Sequence, residues 1–254
     1  MPVTLERDGD VALITLNNPK RRNAIDAQMT RDMRNALRDF EASADLRVAV
    51  LSGKGPIFCA GMDLAAFTSG EAGDILRGAG RFAGFVSAER SKPVVAAVHG
   101  AAVAGGLELM LACDLAVAAE GTVFGLPEVK RGLIAGGGGV LRLARRLPPV
   151  IASEMLLTGD TISCDLALRH GLLNAVVEAD ELLPSALDLA RRIAANAPLA
   201  VRYSRALSKH SLDGDELEDW QLNDRSWLDI EASEDASEGA RAFVEKRPPV
   251  WKGV

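Results

Sequence analysis

Short runs rich in β-branched residues alternate with helix-length stretches along the first part of the chain. This alternation is the strongest constraint on what the chain can fold into. Val3–Glu6, Val11–Leu16, Val48–Ser52, Val94–Val98, Leu115–Ala118 and Asn174–Val177 read as strands. Ala27–Ala42 carries Met29, Met33, Leu37 and Phe40 at helical spacing, with Asp26 in the N-cap position. The pattern predicts an α/β architecture.

From about Ile151 onward the pattern becomes mostly helical, interrupted by one strand near Asn174, and Pro198 opens a new helix after the Asn196-Ala197 break. Leu217, Trp220, Trp227 and Ile230 form a stripe at helical spacing, expected to pack in the core or against another subunit. The glycine-rich stretch Thr68–Gly84 reads as a mobile flap.

The 254 residues suffice for one large domain or a domain with a smaller appendage. No apolar run approaches the length of a bilayer span, and the first strand pattern begins almost at once. The expectation is a soluble, cytoplasmic protein with no membrane partner. A net charge of −6 argues against nucleic acid as a partner, but a local basic cluster could still hold a small anionic ligand. Cys59, Cys113 and Cys164 contain no CxxC pair, so reduced thiols are expected rather than disulfides or a zinc site. His99, His170 and His210 lack partners at metal-ligand spacing, so no metal is expected.

Three stretches can carry chemistry. In "GPIFCAGMDL" (55–64) glycines let a backbone turn amides outward and let a ligand approach. In "HGAAVAGGLELMLACD" (99–114) a helix starts at Gly105, presenting unpaired N–H groups, and Glu108 sits in its first turn among apolar residues. Two amides from these separate loops, meeting at one point, would make an oxyanion hole. In "FGLPEVKRGLIAGGGG" (124–139) Glu128 follows Pro127, and the glycine run lacks the Lys-Ser/Thr of a phosphate-binding loop. Alone, the first stretch is an ordinary strand-to-helix turn and Glu128 a surface carboxylate.

In this order, "FCAGMDL", "AGGLELMLACD" and "FGLPEVKRGLI" resemble successive motifs of the enoyl-CoA hydratase/isomerase (crotonase) superfamily. "NNPKRRNAI" is similar to its N-terminal motif and "EGARAFVEKRPPVWKG" to its C-terminal one. The resemblance implies a ββα spiral core over residues 1–195 and a C-terminal helical trimerisation region over 196–254, forming a homotrimer or a dimer of trimers. It implies an acyl-CoA thioester substrate, with coenzyme A as part of that substrate and no other cofactor, in fatty-acid or other lipid metabolism. Matched residue by residue, the Met62 and Gly105 amides would hold the thioester oxygen. Glu128 would protonate the α-carbon, Glu108 would orient and deprotonate water, and Gly136 would lie near that water.

Arg21, Arg22, Ala24, Ala60, Asp63 and Leu64 would line the substrate site, with Phe243 and Lys246 reaching a neighbouring subunit's coenzyme A. Met62, Phe67 and the glycine-rich Thr68–Val86 segment would wall the acyl pocket. Some family members carry a lysine soon after the Asp of the "AGxD" motif; here Leu64-Ala65-Ala66 follows, so phosphate contacts shift to Arg21, Arg22 and Lys246. The expected reaction is hydration of a 2-enoyl-CoA. "LPPVIASEMLLTG" and "EKRPPVWKG" also resemble carnitinyl-CoA dehydratase-type members, but an acid stands there at the place of Gly136. An isomerase and a non-catalytic acyl-CoA binder remain as alternatives.

Overall fold

A computed structural model describes residues 1–212 and 215–254. The chain opens with β1 (Val3–Asp8) and β2 (Val11–Leu16), an antiparallel hairpin, and continues through α1 (Ala27–Ala42) to β3 (Val48–Gly53). The glycine-rich stretch that follows holds α2 (Leu64–Ala66) and α3 (Ala72–Leu76). Then come β4 (Val94–Val98), β5 (Ala101–Val103), α4 (Gly105–Ala112), β6 (Leu115–Ala119) and β7 (Val123–Gly125). The second half contributes α5 (Gly139–Arg146), α6 (Pro149–Thr158), β8 (Thr161–Ser163), α7 (Cys164–Arg169), β9 (Ala175–Val177) and α8 (Leu182–Ala194). Three helices close the chain: α9 (Pro198–His210), α10 (Glu216–Glu231) and α11 (Glu234–Glu245).

Six strands form the main sheet in the order β1-β2-β3-β4-β6-β9, parallel except for the first pair. Both faces are covered in its middle, so β4 and β6 are apolar at every position, with successive side chains going to opposite sides. In β4, Val94, Ala96 and Val98 join the large core under α1 and α4. Val95 and Ala97 face the other way, against Leu182, Ala186, Ala190 and Ala194 of α8. The alanines, four residues apart, let that helix lie close to the sheet.

A smaller sheet, β5-β7-β8, stands beside the first. Isolated parallel bridges extend it, pairing Cys59 with Ala102 and Met62 with Ile25. The site is built around this extension. The sequence pattern anticipates the main sheet closely but misses the smaller one, whose three-residue strands offer no periodicity.

α1 spans Ala27–Ala42 as expected, with Met29, Met33, Leu37 and Phe40 buried. Asp26 caps it by accepting a hydrogen bond from the Met29 N–H at 2.8 Å. At its far end Lys92, only 2% exposed, donates to the carbonyls of Phe40 at 2.8 Å and Ser43 at 2.6 Å. Burial lowers the Lys92 pKa, and the carbonyls satisfy its ammonium.

Two expectations gain detail from the structure. The Thr68–Gly84 stretch is partly helical, and Arg34 of α1 clips it by donating to the carbonyls of Arg77 at 2.9 Å and Ala79 at 3.0 Å. Of the two places expected for the α10 stripe, the core of this chain is not where it lies: Leu217, Trp220 and Trp227 are 67%, 59% and 62% exposed, since α10 packs mainly against α9 and α11, which leaves the subunit-contact reading. Replacing Asp26 by alanine removes the cap of α1 while leaving its buried face intact. Unfolding in urea should show a loss of about 1 kcal/mol, with the m-value unchanged.

Candidate active site

The Cys59–Met62 segment is placed by one buried amide. Asn23, fully buried in a left-handed conformation at φ 53°, donates from Nδ2 to the carbonyls of Lys54 at 2.8 Å and Phe58 at 2.9 Å. Its Oδ1 accepts from the Asn18 N–H at 2.8 Å. Sequence reasoning passes over Asn23, although an asparagine among basic residues in a turn is a residue type that tolerates this conformation. Beyond it, the Ile25 N–H donates to the Gly61 carbonyl at 2.7 Å. A trans peptide points its N–H opposite its C=O, so the Met62 N–H is turned away from Ile25.

On that opposite side lies the start of α4. Ala104 takes φ 51° and ψ −128°, an unfavourable conformation for a residue with a Cβ, and swings the chain from β5 into the helix. The approach is close: a Cβ on Gly61 would stand 2.8 Å from the Gly105 nitrogen, and one on Gly106 would stand 2.1 Å from the Cys59 carbonyl oxygen. Neither the Met62 nor the Gly105 N–H donates to an acceptor among the described residues. Both residues line one cavity of about 470 Å³. Two neighbouring free amides of this kind suit an anionic oxygen.

Glu108, one turn into α4, is 4% exposed. Its Oε1 accepts from the Gly139 N–H at 2.9 Å, and the Gly137 amide also bonds the carboxylate. Burial pushes its pKa up to about 7, with the charge of Glu128 adding to the rise and the two amides and Arg142 opposing it. The helix N-terminus favours the anion as well, but here desolvation outweighs it. Glu128 lies in the 3-10 turn Pro127–Arg131 and is half-buried, with its Oε2 shielded and without a partner among the described residues. Burial raises its pKa too, opposed by its own backbone amide and by Arg131.

Both carboxylates line the cavity that Met62 and Gly105 line. Gly136 lies on the same wall, whereas the amides that hold Glu108 belong to Gly137 and Gly139, which sequence reasoning did not single out. Leu64, Phe67, Leu76, Phe82 and Ile134 belong to the apolar part of the lining, and Arg22 and Ala60 also line the cavity. Ala24 sits in the neighbouring turn, its N–H bonded to the Arg21 carbonyl at 3.0 Å.

Asp63 is 7% exposed and caps α2 through the Ala65 N–H at 2.9 Å. Burial would raise its pKa, but hydrogen bonds from Arg21 and the Ala65 and Ala66 amides win and lower it. Arg21 thus spends one N–H group on Asp63. Phe243 and Lys246, both exposed at the end of α11, are not part of this chain's cavity lining.

Comparison with known proteins decides the family, because the sequence profile described as enoyl-CoA hydratase/isomerase matches residues 6–254. The chain belongs to the enoyl-CoA hydratase/isomerase family. This family member is 44% identical over 255 residues to carnitinyl-CoA dehydratases of Salmonella enteritidis and Salmonella gallinarum, covering 98% of this chain and 97% of theirs. Its fold superposes on the crystal structure of an enoyl-CoA hydratase from Mycobacterium tuberculosis H37Rv with TM-score 0.96 at 43% identity, covering 100% and 99% of the two chains. An enoyl-CoA hydratase from Mycobacterium marinum gives TM-score 0.96 at 44% identity with the same coverage. The architecture is therefore the crotonase fold, and the protein is an enzyme of its hydratase/dehydratase class.

The Glu108 carboxyl generates a stability prediction. Its folded value of about 7 lies above the ordinary 4.5, so between those values the folded state binds more protons than the unfolded chain, and stability falls as pH rises. Glu108→Gln keeps an acceptor for the Gly139 amide without an ionisable group. At pH 8 it should unfold at higher urea than the wild type, by up to roughly 3 kcal/mol. The two curves should converge near pH 4, and a difference independent of pH would contradict the assignment.

Proposed function

We propose that this enzyme adds water reversibly across the double bond of a 2-enoyl-CoA thioester to give a 3-hydroxyacyl-CoA. One observation carries the proposal: Glu108 and Glu128, both with raised pKa, share one largely apolar cavity with the unpartnered Met62 and Gly105 amides. The thioester carbonyl binds the two amides, which stabilise the negative charge that grows on its oxygen as water attacks the β-carbon. Each donor in such a hole contributes roughly 3–4 kcal/mol in comparable acyl chemistry.

Glu108, held by the Gly137 and Gly139 amides, accepts the proton of the attacking water, while Glu128 in its protonated form delivers a proton to the α-carbon. Two carboxyls near one another in a dry site retain a shared proton, as this division of labour requires. The reverse reaction eliminates water by the same steps. The leaving or attacking water lies near Gly136, where the missing side chain leaves open space.

The thioester's nucleotide end lies toward the exposed Arg22 and Lys20, with Arg21 partly engaged by Asp63. Phe243 and Lys246 serve the site of a neighbouring subunit in a homotrimer. The exposed Trp220, Trp227 and Phe243 support that assembly, since apolar surface of this size favours a partner. Among the described residues no helix is long and apolar enough to cross a membrane, which is consistent with a water-borne thioester.

A second reading is dehydration of carnitinyl-CoA, favoured by the curated relatives at 44% identity. The lining speaks for the first: its only carboxylates among the described residues are Glu108 and Glu128, so a trimethylammonium group finds no further anion. Loss of enoyl-thioester absorbance should be rapid with crotonyl-CoA and slow with crotonobetainyl-CoA. Glu128→Gln should lower the crotonyl-CoA rate by roughly 10²–10⁴-fold. Strong preference for crotonobetainyl-CoA would transfer the assignment to the second reading.

A further inference from the structure

Arg142, in the first turns of α5, takes no part in the steps above, yet it ties the Gly137 wall of the site to Val86. Its Nη1 donates to the Gly137 carbonyl at 3.2 Å and its Nη2 to the Val86 carbonyl at 2.5 Å. The Gly137 and Gly139 amides hold the Glu108 carboxylate from within the same turn. One short turn is thus gripped by a guanidinium on its carbonyl side and by a carboxylate on its amide side. The turn has no slack: a Cβ on Gly138, at φ 96°, would stand 2.3 Å from Arg142 Nη1, and one on Gly137 would stand 2.4 Å from Glu108 Oε2.

The second anchor, Val86, lies just beyond the flap. Phe82, four residues earlier, packs so close to Gly105 that a Cβ there would stand 2.3 Å from the ring. A guanidinium is a planar fork and can hold two carbonyls at once, which an ammonium on a flexible stem does not do in one fixed geometry.

The charges around this bridge come from several elements, and Lys209 of α9 also faces Arg142. Glu108 is faced by Glu128 from the Pro127–Arg131 turn and by Arg142 from α5. Arg142, half-buried, is faced by Arg146 on its own helix, by Arg90 from the segment before β4, and by Glu108 and Cys113 of the α4 region.

We propose that Arg142 is a positioning residue: by bridging Gly137 and Val86 it holds the Glu108 carboxylate in register with the Met62 and Gly105 amides and with the flap. Its effect on turnover rests on the hydration chemistry proposed above, whereas its hold on Glu108 does not. Both are readable in the full-length protein. Turnover of crotonyl-CoA gives kcat and KM, and ¹³C NMR of the substrate-free enzyme, assigned with Glu108→Gln, follows the titration of the Glu108 carboxyl.

In Arg142→Gln, kcat should fall by about 10- to 100-fold, as a small misplacement of a reacting group does. KM should stay within about 3-fold, because the interaction lost is one that matters in the transition state. The Glu108 titration should move to higher pH, since a nearby positive charge has gone. Arg142→Lys retains the charge but not the fork, so the titration should return toward wild type while kcat remains intermediate.

A folded Arg142→Gln with wild-type kcat and titration overturns the proposal, as does a fall in kcat with no movement of Glu108. Should the glutamine variant fail to fold, wild-type kcat in Arg142→Lys overturns the bridge. A wild-type enzyme inert toward both crotonyl-CoA and crotonobetainyl-CoA would sink the hydration chemistry. Movement of the Glu108 titration in Arg142→Gln would still support the positioning.

Discussion

Where α4 begins, its backbone passes so near the Cys59–Met62 segment that a single Cβ on Gly106 would meet the Cys59 carbonyl oxygen at 2.1 Å. Everything around the cavity follows from that approach. It brings the free Met62 and Gly105 amides to one cavity, and it sets Glu108 one turn further along, inside the protein instead of at its surface. The positive-φ conformation of Ala104 stores strain that the surrounding packing must offset, and Phe82 sits so close to Gly105 that only a glycine fits there.

The energetic character of the site comes from desolvation more than from charge pairing. Glu108 is surrounded by backbone amides and apolar side chains, so its pKa rises even though a helix N-terminus and Arg142 both favour the ionised form. Two cations near the site and its frame are met by carbonyls: buried Lys92 closes the end of α1, and half-buried Arg142 spans Gly137 and Val86. A carboxylate that must work on a proton near neutral pH is better left without a strong cationic partner, which would hold it permanently ionised.

Much of the frame was legible in the residues. The β-branched runs mark the main sheet because both faces of its strands are buried, and α1 is readable from Asp26 and a one-sided apolar stripe. The smaller sheet was not legible, since three-residue strands and single bridges leave no periodic trace. Within the site, the family resemblance pointed to Glu108, Glu128, Met62 and Gly105, but not to the supports that place them. Asn23 looks like one polar residue in a basic turn, and Gly137 and Gly139 look like any members of a glycine run. Arg142 has a neighbour of the same type at Arg146, so nothing in the string marks which guanidinium reaches Gly137.

What the sequence determined by itself is therefore local: where strands and α1 form, where glycine permits a close approach, and which side chains can move a proton. Only the tertiary structure decided which amides are left without acceptors, how dry Glu108 and Glu128 become, and that Arg21 meets Asp63. The physical reason is that propensity and periodicity act over a few neighbouring residues. Desolvation and hydrogen-bond satisfaction are set by segments far apart in the chain, such as Glu108 and Gly139, or Val86 and Arg142.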